Sequence, residues 1–185
     1  MAMIRAAAAV GLAGFTYRAV VRGQLTVDLG LGRRTRTLAC DPVHIDAPRE
    51  TVFDVIASPY LGRTPRAMAG KLEVLERASD MVLAAHHTPV RGGLVATTVE
   101  TVRFERPDRV HFRLLRGPVP HVLETFQLTD EHGGTRLTYT GEMGNDFGRV
   151  GSWWARQVAG PWEAAVRFSF AQIKDEAERQ SGSAR

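Results

Sequence analysis

With 185 residues, 44% hydrophobic and 24% charged, the chain suits one soluble globular domain large enough for a proper core. Its net charge is +4 and its pI about 9.8. Lysine stands only at Lys71 and Lys174, however, and the one compact basic run, Arg33-Arg34-Thr35-Arg36, has no aromatic platform interleaved with it, so no nucleic-acid partner is expected. A single cysteine, Cys40, excludes an internal disulfide; the fold needs no oxidising compartment, and a cytoplasmic location is expected.

Met1–Val21 carries Arg5 and then the apolar run Ala6–Phe15, broken by Thr16-Tyr17-Arg18. That run falls short of the roughly 20 apolar residues a bilayer span takes. Alanine and glycine make it only mildly hydrophobic, and no A-x-A cleavage site follows, so it reads as a short helix packed on the domain or a mobile end. Membrane association, if any, would run through residues 1–21. Gln24–Gly32 alternates Leu25, Val27 and Leu29 with polar neighbours and closes on glycines, a candidate edge strand. Residues 1–36 thus form an N-terminal extension.

A clearer strand is predicted at Thr37–Ile45. Asp46 or Ala47 ends it, Pro48 suits the first turn of a helix, and Glu50 suits that helix's positive end. Val52, Phe53 and Ile56 form its buried stripe, Ser58-Pro59-Tyr60 closes it, and Leu61–Ala69 reads as a Pro-broken linker or a second short helix. From Gly70 to Met143 strands follow one another: Lys71–Arg77, Met81–Val90, Leu94–Glu105, Arg109–Arg116, His121–Thr129 and Thr135–Met143. Arg91-Gly92-Gly93 is a hairpin signal, and the other turns are equally short, which makes an antiparallel meander. Gly148–Glu178 is one long helix, with Trp162, Ala165, Val166, Ser169, Phe170, Ile173 and Ala177 recurring at three- and four-residue intervals. Pro161 should kink or restart it near Gly160. Residues 180–185 read as a disordered tail.

This order is a helix-grip arrangement of the α+β class: a curved antiparallel sheet wrapped around a long C-terminal helix, with a cavity between. The segments HIDAPRETVFDVIASP (His44–Pro59), FERPDRVHF (Phe104–Phe112), VLETFQLTD (Val122–Asp130) and GGTRLTYTGE (Gly133–Glu142), with the Trp154–Trp162 pair and IKDEAE of the last helix, resemble the START-like, Bet v 1-like superfamily. Within it the chain is most similar to the bacterial polyketide cyclase/dehydrase-like group, often called SRPBCC proteins. The likeness covers residues 37–178, and a START-like domain over 37–179 is expected. The resemblance implies binding of hydrophobic molecules, with cyclisation or hydrolysis in a few members. The motifs specify a fold better than a reaction.

Alternation selects the side chains that face the cavity. Val102 and Phe104 carry Glu100 and Thr98 inward with them. Val110, Phe112 and Leu114 bring Arg116 to the inner side at a strand end. Phe126 and Leu128 take Val122 and Glu124 inward, and Leu137 and Tyr139 point in from the last strand. Trp162, Val166 and Ser169 face them from the helix. Apolar walls with a few convergent polar groups describe a small-molecule site. One reading makes Glu100 or Glu124 a general base of raised pKa, with Arg116 or Tyr139 stabilising an oxyanion. Another makes Glu100, Glu124 and Arg116 an ion-pair network at the rim.

Other chemistry is thinner. His86 and His87 are adjacent on a strand and face opposite ways, while His44, His111, His121 and His132 form no ligand cluster, so no metal and no cofactor are expected. Glu142, Asn145 and Asp146 read as cap and loop residues, and Cys40 as a small core residue. The expected function is binding of a hydrophobic or amphipathic small molecule such as a lipid or polyketide. The alternatives are a cyclase/dehydratase-like enzyme using Glu100 or Glu124, or an interaction module without ligand.

Overall fold

The computed structural model describes residues 2–62, 70–90 and 93–183. Helix α1 (Ala2–Val21) is followed by two short strands, β1 (Arg34–Leu38) and β2 (Val43–Ile45), and by helix α2 (Arg49–Leu61). The meander is β3 (Leu72–Arg77), β4 (Met81–Val90), β5 (Leu94–Glu105), β6 (Arg109–Arg116), β7 (His121–Glu131) and β8 (Gly134–Asn145); helix α3 (Gly148–Ser183) closes the chain. Sheet order is β1-β8-β7-β6-β5-β4-β3, all antiparallel, with β2 also on β8. Short turns allow only neighbour pairing, so the meander builds the curved sheet of a helix-grip fold.

The predicted strand Thr37–Ile45 is therefore two pieces, which pair with different stretches of β8: Leu38 with Gly141, and Val43 with Leu137. The predicted hairpin at residues 91–93 falls partly outside the described residues, but Val90 does pair with Leu94 across it. Most of the predicted linker at 61–69 lies outside them too. In α2 the buried stripe is Val52, Phe53, Ile56, Ala57 and Tyr60, which lays the helix on the sheet's concave side beside α3.

Helix α3 buries Gly151, Ala155, Ala159, Val166, Phe170, Ile173 and Ala177, steps of three, four and once seven that draw one line along it. At its start the helix backbone comes very close to the preceding turn: a Cβ at Gly151 would overlap the Asp146 carbonyl. Two expectations are corrected here. Of the kink or restart expected at Pro161, the restart does not occur: the helix is continuous through it, packed on both sides by Ala159 and Val166. It also continues to Ser183, so residues 180–183 are helix rather than tail; i,i+3 and i,i+4 contacts of Arg179 and Gln180 with Glu176 carry the last turns.

Gln24–Gly32 is not an edge strand. It forms no ladder and crosses the end of the sheet as a strap held by hydrogen bonds along its length. Thr26 Oγ1 exchanges hydrogen bonds with the Gly117 backbone, both at 2.9 Å. Further on, Leu29 and Gly30 donate from their backbones to Asp146 Oδ2 at 2.7 and 2.9 Å, while Arg33 donates to Oδ1 at 2.8 Å. The Arg33 bond comes first among the causes that bring the Asp146 carboxyl down to about 2, against the pull of burial. A depressed carboxyl stabilises the fold above its unfolded pKa and loses that contribution as pH falls through the folded value. Asp146→Asn is thus expected to lower the melting temperature by several degrees at pH 7. The gap to wild type should close as pH falls from 3.8 to about 2. Amide exchange at Leu29 and Gly30 should quicken.

Cys40 is half-buried with its thiol toward the Asp41 carbonyl, and burial pushes its pKa up, so it is a poor nucleophile. No helix among the described residues is long and apolar enough to cross a membrane.

Candidate functional site

Strand register stacks the inward aromatic residues in one layer. Val102 opposes Phe112, Phe112 opposes Glu124, and Phe126 opposes Tyr139. Phe126 stands at the centre, 4.9 Å from the Phe112 ring, 5.1 Å from Phe170 on α3 and 6.1 Å from Tyr139, measured between centroids. Tyr60 of α2 extends the layer to Phe104 and Phe112 at 6.0 and 6.3 Å. Edge-on and tilted rings at these separations are the favoured geometry for aromatic contacts. Leu114 and Val166 complete the wall; both are buried.

Into this apolar layer the sheet inserts two carboxyl groups, Glu100 from β5 and Glu124 from β7, exposed by only 4% and 8%. A buried charge must be paired or neutralised, and the two glutamates take different routes. Glu100 lies 3.2 Å from His86 Nδ1, the diagonal neighbour across the β4–β5 ladder, where Ala84 opposes Glu100 and His86 opposes Thr98. Burial pushes Glu100 up, but the His86 charge and hydrogen bond, with help from Thr98, outweigh it and hold the carboxyl below its ordinary pKa. Burial likewise works against the His86 imidazolium, and Glu100 outweighs that too, raising His86. As imidazolium, His86 donates from Nδ1 to Glu100 and from Nε2 to Tyr60 Oη, 3.1 Å away.

Glu124 has no ion-pair partner among the described residues. Tyr139 Oη donates to its Oε1 at 2.6 Å and Trp162 Nε1 to the same oxygen at 2.8 Å. Burial, reinforced by the charge of Glu100, pushes the carboxyl up to about 7 against the pull of those two hydrogen bonds and of His86. Both donors converge on Oε1, so Oε2 has no donor among the described residues. The pair is thus one charged and one poised carboxyl, their environments driving the two apart. Gly141 makes the arrangement possible: it opposes Glu124, and a Cβ there would overlap the Tyr139 phenol that lies across it. Removing one donor should move the poised group further. Tyr139→Phe is expected to raise the Glu124 titration above about 7, read as the pH midpoint of its side-chain carboxyl resonance.

Of the residues selected from sequence, Glu100, Phe104, Phe112, Leu114, Glu124, Phe126, Tyr139, Trp162 and Val166 gather in this layer. Arg116 and Ser169 do not. A register shift between Val99 and Glu100 sets Glu100 opposite Leu114 but Val99 opposite Arg116. The extra residue on β6 breaks the alternation, and Arg116 is exposed. It pairs with neither glutamate, so the rim network of Glu100, Glu124 and Arg116 is replaced by Glu100–His86. Ser169 is exposed and turned back onto the Ala165 carbonyl at 3.0 Å. His86 and Tyr60 are the residues sequence reading missed. Val82 and Ala84 are buried on the inner face of β4, and alternation from them leads to His86. Trp154 is a structural anchor, donating to the Pro118 carbonyl at 2.7 Å.

Among the described residues no group of three or more His, Cys, Asp or Glu is placed to hold a metal.

The family described as polyketide cyclase / dehydrase and lipid transport matches residues 36–178. A search of curated proteins returns no match. Among solved structures, the chain is similar to the Streptomyces aromatase/cyclase Zhui, 16% identical, with a TM-score of 0.59 over 80% of this chain and 95% of that one. It is similar to the Thermus thermophilus protein TTHA0849, 17% identical, TM-score 0.59, over 80% and 99%. It is also similar to the di-domain ARO/CYC BexL, 18% identical, TM-score 0.57, over 80% of this chain and 50% of that one, so it spans half of that protein. At these identities the likeness is one of fold.

Proposed function

The chain belongs to the polyketide cyclase / dehydrase and lipid transport family, and from that premise we propose that it binds a hydrophobic small molecule between sheet and helix, with a polar end of the ligand at Glu124. The observation that carries the reading is the open oxygen of that carboxyl. Two donors hold Oε1, aromatic rings surround the group, and Oε2 is left to receive a partner. A carbonyl or hydroxyl on an otherwise apolar molecule matches such a site, a single polar group set in apolar walls. Lipids and polyketides both fit that description.

A second reading follows from the poised proton. A carboxyl titrating at about 7 holds and releases a proton at neutral pH, the property wanted in a general acid or base. It supports cyclase/dehydratase-like chemistry in which Glu124 moves a proton at a ligand carbonyl. Glu100, kept ionised by His86, serves there as the fixed charge that keeps Glu124 poised.

Native mass spectrometry of the purified protein, with extraction of whatever co-purifies, tests the binding. A stoichiometric hydrophobic adduct is expected, lost on extraction and regained from cell lipid extract. A mass that stays unliganded through that incubation contradicts the proposal. If the second reading also holds, Glu124→Gln keeps the adduct but leaves it chemically unchanged.

A further inference from the structure

Away from the interior, one end of the molecule exposes large apolar side chains on two segments that are bonded to each other. Phe147 donates from its backbone to the Leu31 carbonyl at 2.8 Å, and Gly148 to Gly32 at 3.1 Å. Around that seam Leu29 is 61% exposed, Leu31 61%, Phe147 50%, Val150 73% and Trp153 55%. Phe147 holds φ at +63°, a left-handed conformation that is an outlier for a bulky residue. Val150 and Trp153 follow on the same face of the first turns of α3. Exposed apolar residues scattered singly need no explanation, but a contiguous aromatic patch does.

The charge around it is predominantly positive. Residues 1–27 and 147–162 contain arginines and no aspartate or glutamate. Arg18, Arg22, Arg149 and Arg156 are exposed, and among the described residues none has an acidic partner. The nearest acids are already engaged: Asp146 and Asp28 both pair with Arg33. The edge-on contact of Tyr17 with Trp154, 6.0 Å between centroids, ties the arginines of α1 to this end.

We infer that this end docks on an anionic lipid surface, with Phe147, Val150, Trp153 and the strap leucines entering the headgroup layer and the unpaired arginines meeting lipid phosphates. Trp, Phe and Leu flanked by Arg are the residues that settle at a bilayer interface. A second copy of the chain is the poorer occupant. A twofold interface would bring Arg149 and Arg156 of each copy toward those of the other, with no unpaired acid among the described residues of the patch to answer them.

The test uses the full chain and vesicles of phosphatidylcholine alone or with three parts in ten phosphatidylglycerol. Binding is read by flotation and by quenching of tryptophan fluorescence with brominated lipid. The protein should float with the anionic vesicles, show quenching, and come off in high salt; with phosphatidylcholine alone it should stay in solution. Arg149→Gln with Arg156→Gln should lower the partition coefficient about thirtyfold, two surface arginines at the attraction expected of each. Val150→Gln with Trp153→Gln should abolish quenching while leaving the melting curve unchanged. No partition onto anionic vesicles overturns the inference, as does equal binding to both compositions. Concentration-dependent dimerisation that protects Trp153 without lipid also overturns it, in favour of a second copy.

Discussion

Replacing Glu124 by Gln should make the protein more stable at neutral pH, by about 3 kcal/mol at pH 7, and leave it unchanged near pH 4.5. The sign follows from the raised carboxyl. A group with a folded pKa of about 7 and an ordinary value of 4.5 binds its proton more tightly in the fold than in the unfolded chain. Its contribution is therefore full below 4.5 and is lost as pH rises through about 7. Two and a half units at about 1.4 kcal/mol each set the scale. Glutamine keeps an oxygen for Tyr139 and Trp162 while carrying no charge at any pH, so it imitates the protonated acid. Urea unfolding at half-unit steps from pH 4.5 to 7.5 should show the wild-type curve falling where the variant's stays level. Parallel curves would mean that Glu124 is solvated and ordinary.

Phe126→Ala should cost about 3–5 kcal/mol, the range for emptying a buried aromatic site. Phe126 is 7% exposed and touches rings from three elements: Phe112 on β6, Tyr139 on β8 and Phe170 on α3. No neighbour is free to fill the space, because each is itself held by a strand register or by the helix face. Since a domain has about 5–15 kcal/mol in all, such a variant stands near the limit of folding. Phe168→Ala is the control: that ring is 62% exposed on the same helix, and its loss should stay within about 0.5 kcal/mol. Chemical denaturation of both variants at one pH checks the contrast.

Much of this layer is readable from the chain because strands alternate. Phe126 and Leu128 fix the phase of β7, and Glu124 follows from them; Leu137 does the same for Tyr139. The phase fails where the ladder does. Counting from Leu114 points Arg116 inward, and the extra residue at the β5–β6 bulge turns it out. No local pattern announces such a bulge. A three-residue step from Val166, itself four beyond Trp162, sets Ser169 on the inner helix face. The buried line instead passes through Val166, Phe170 and Ile173, one step to the side. His86 is legible from Val82 and Ala84, yet its role depends on Glu100 from the next strand and Tyr60 from α2, partners that only the fold brings close. The strap is the clearest limit. Gln24–Gly32 has the alternation of a strand, but its Leu29 and Gly30 N–H groups are satisfied by Asp146, more than a hundred residues away. A hydrophobic pattern cannot show where such hydrogen bonds go.

Burial and a neighbouring charge keep Glu124 poised inside an aromatic layer, while His86 keeps Glu100 ionised; on this the rest depends. A carbon-13 titration of the glutamate side-chain carboxyls, assigned with Glu124→Gln and Glu100→Gln, tests it most directly. One buried carboxyl should titrate at about 7, and the other should remain charged below the ordinary glutamate range. In Glu100→Gln, with the neighbouring charge gone, the Glu124 midpoint should fall. Two midpoints near 4.5, with Glu124 unmoved by the loss of Glu100, would contradict the account.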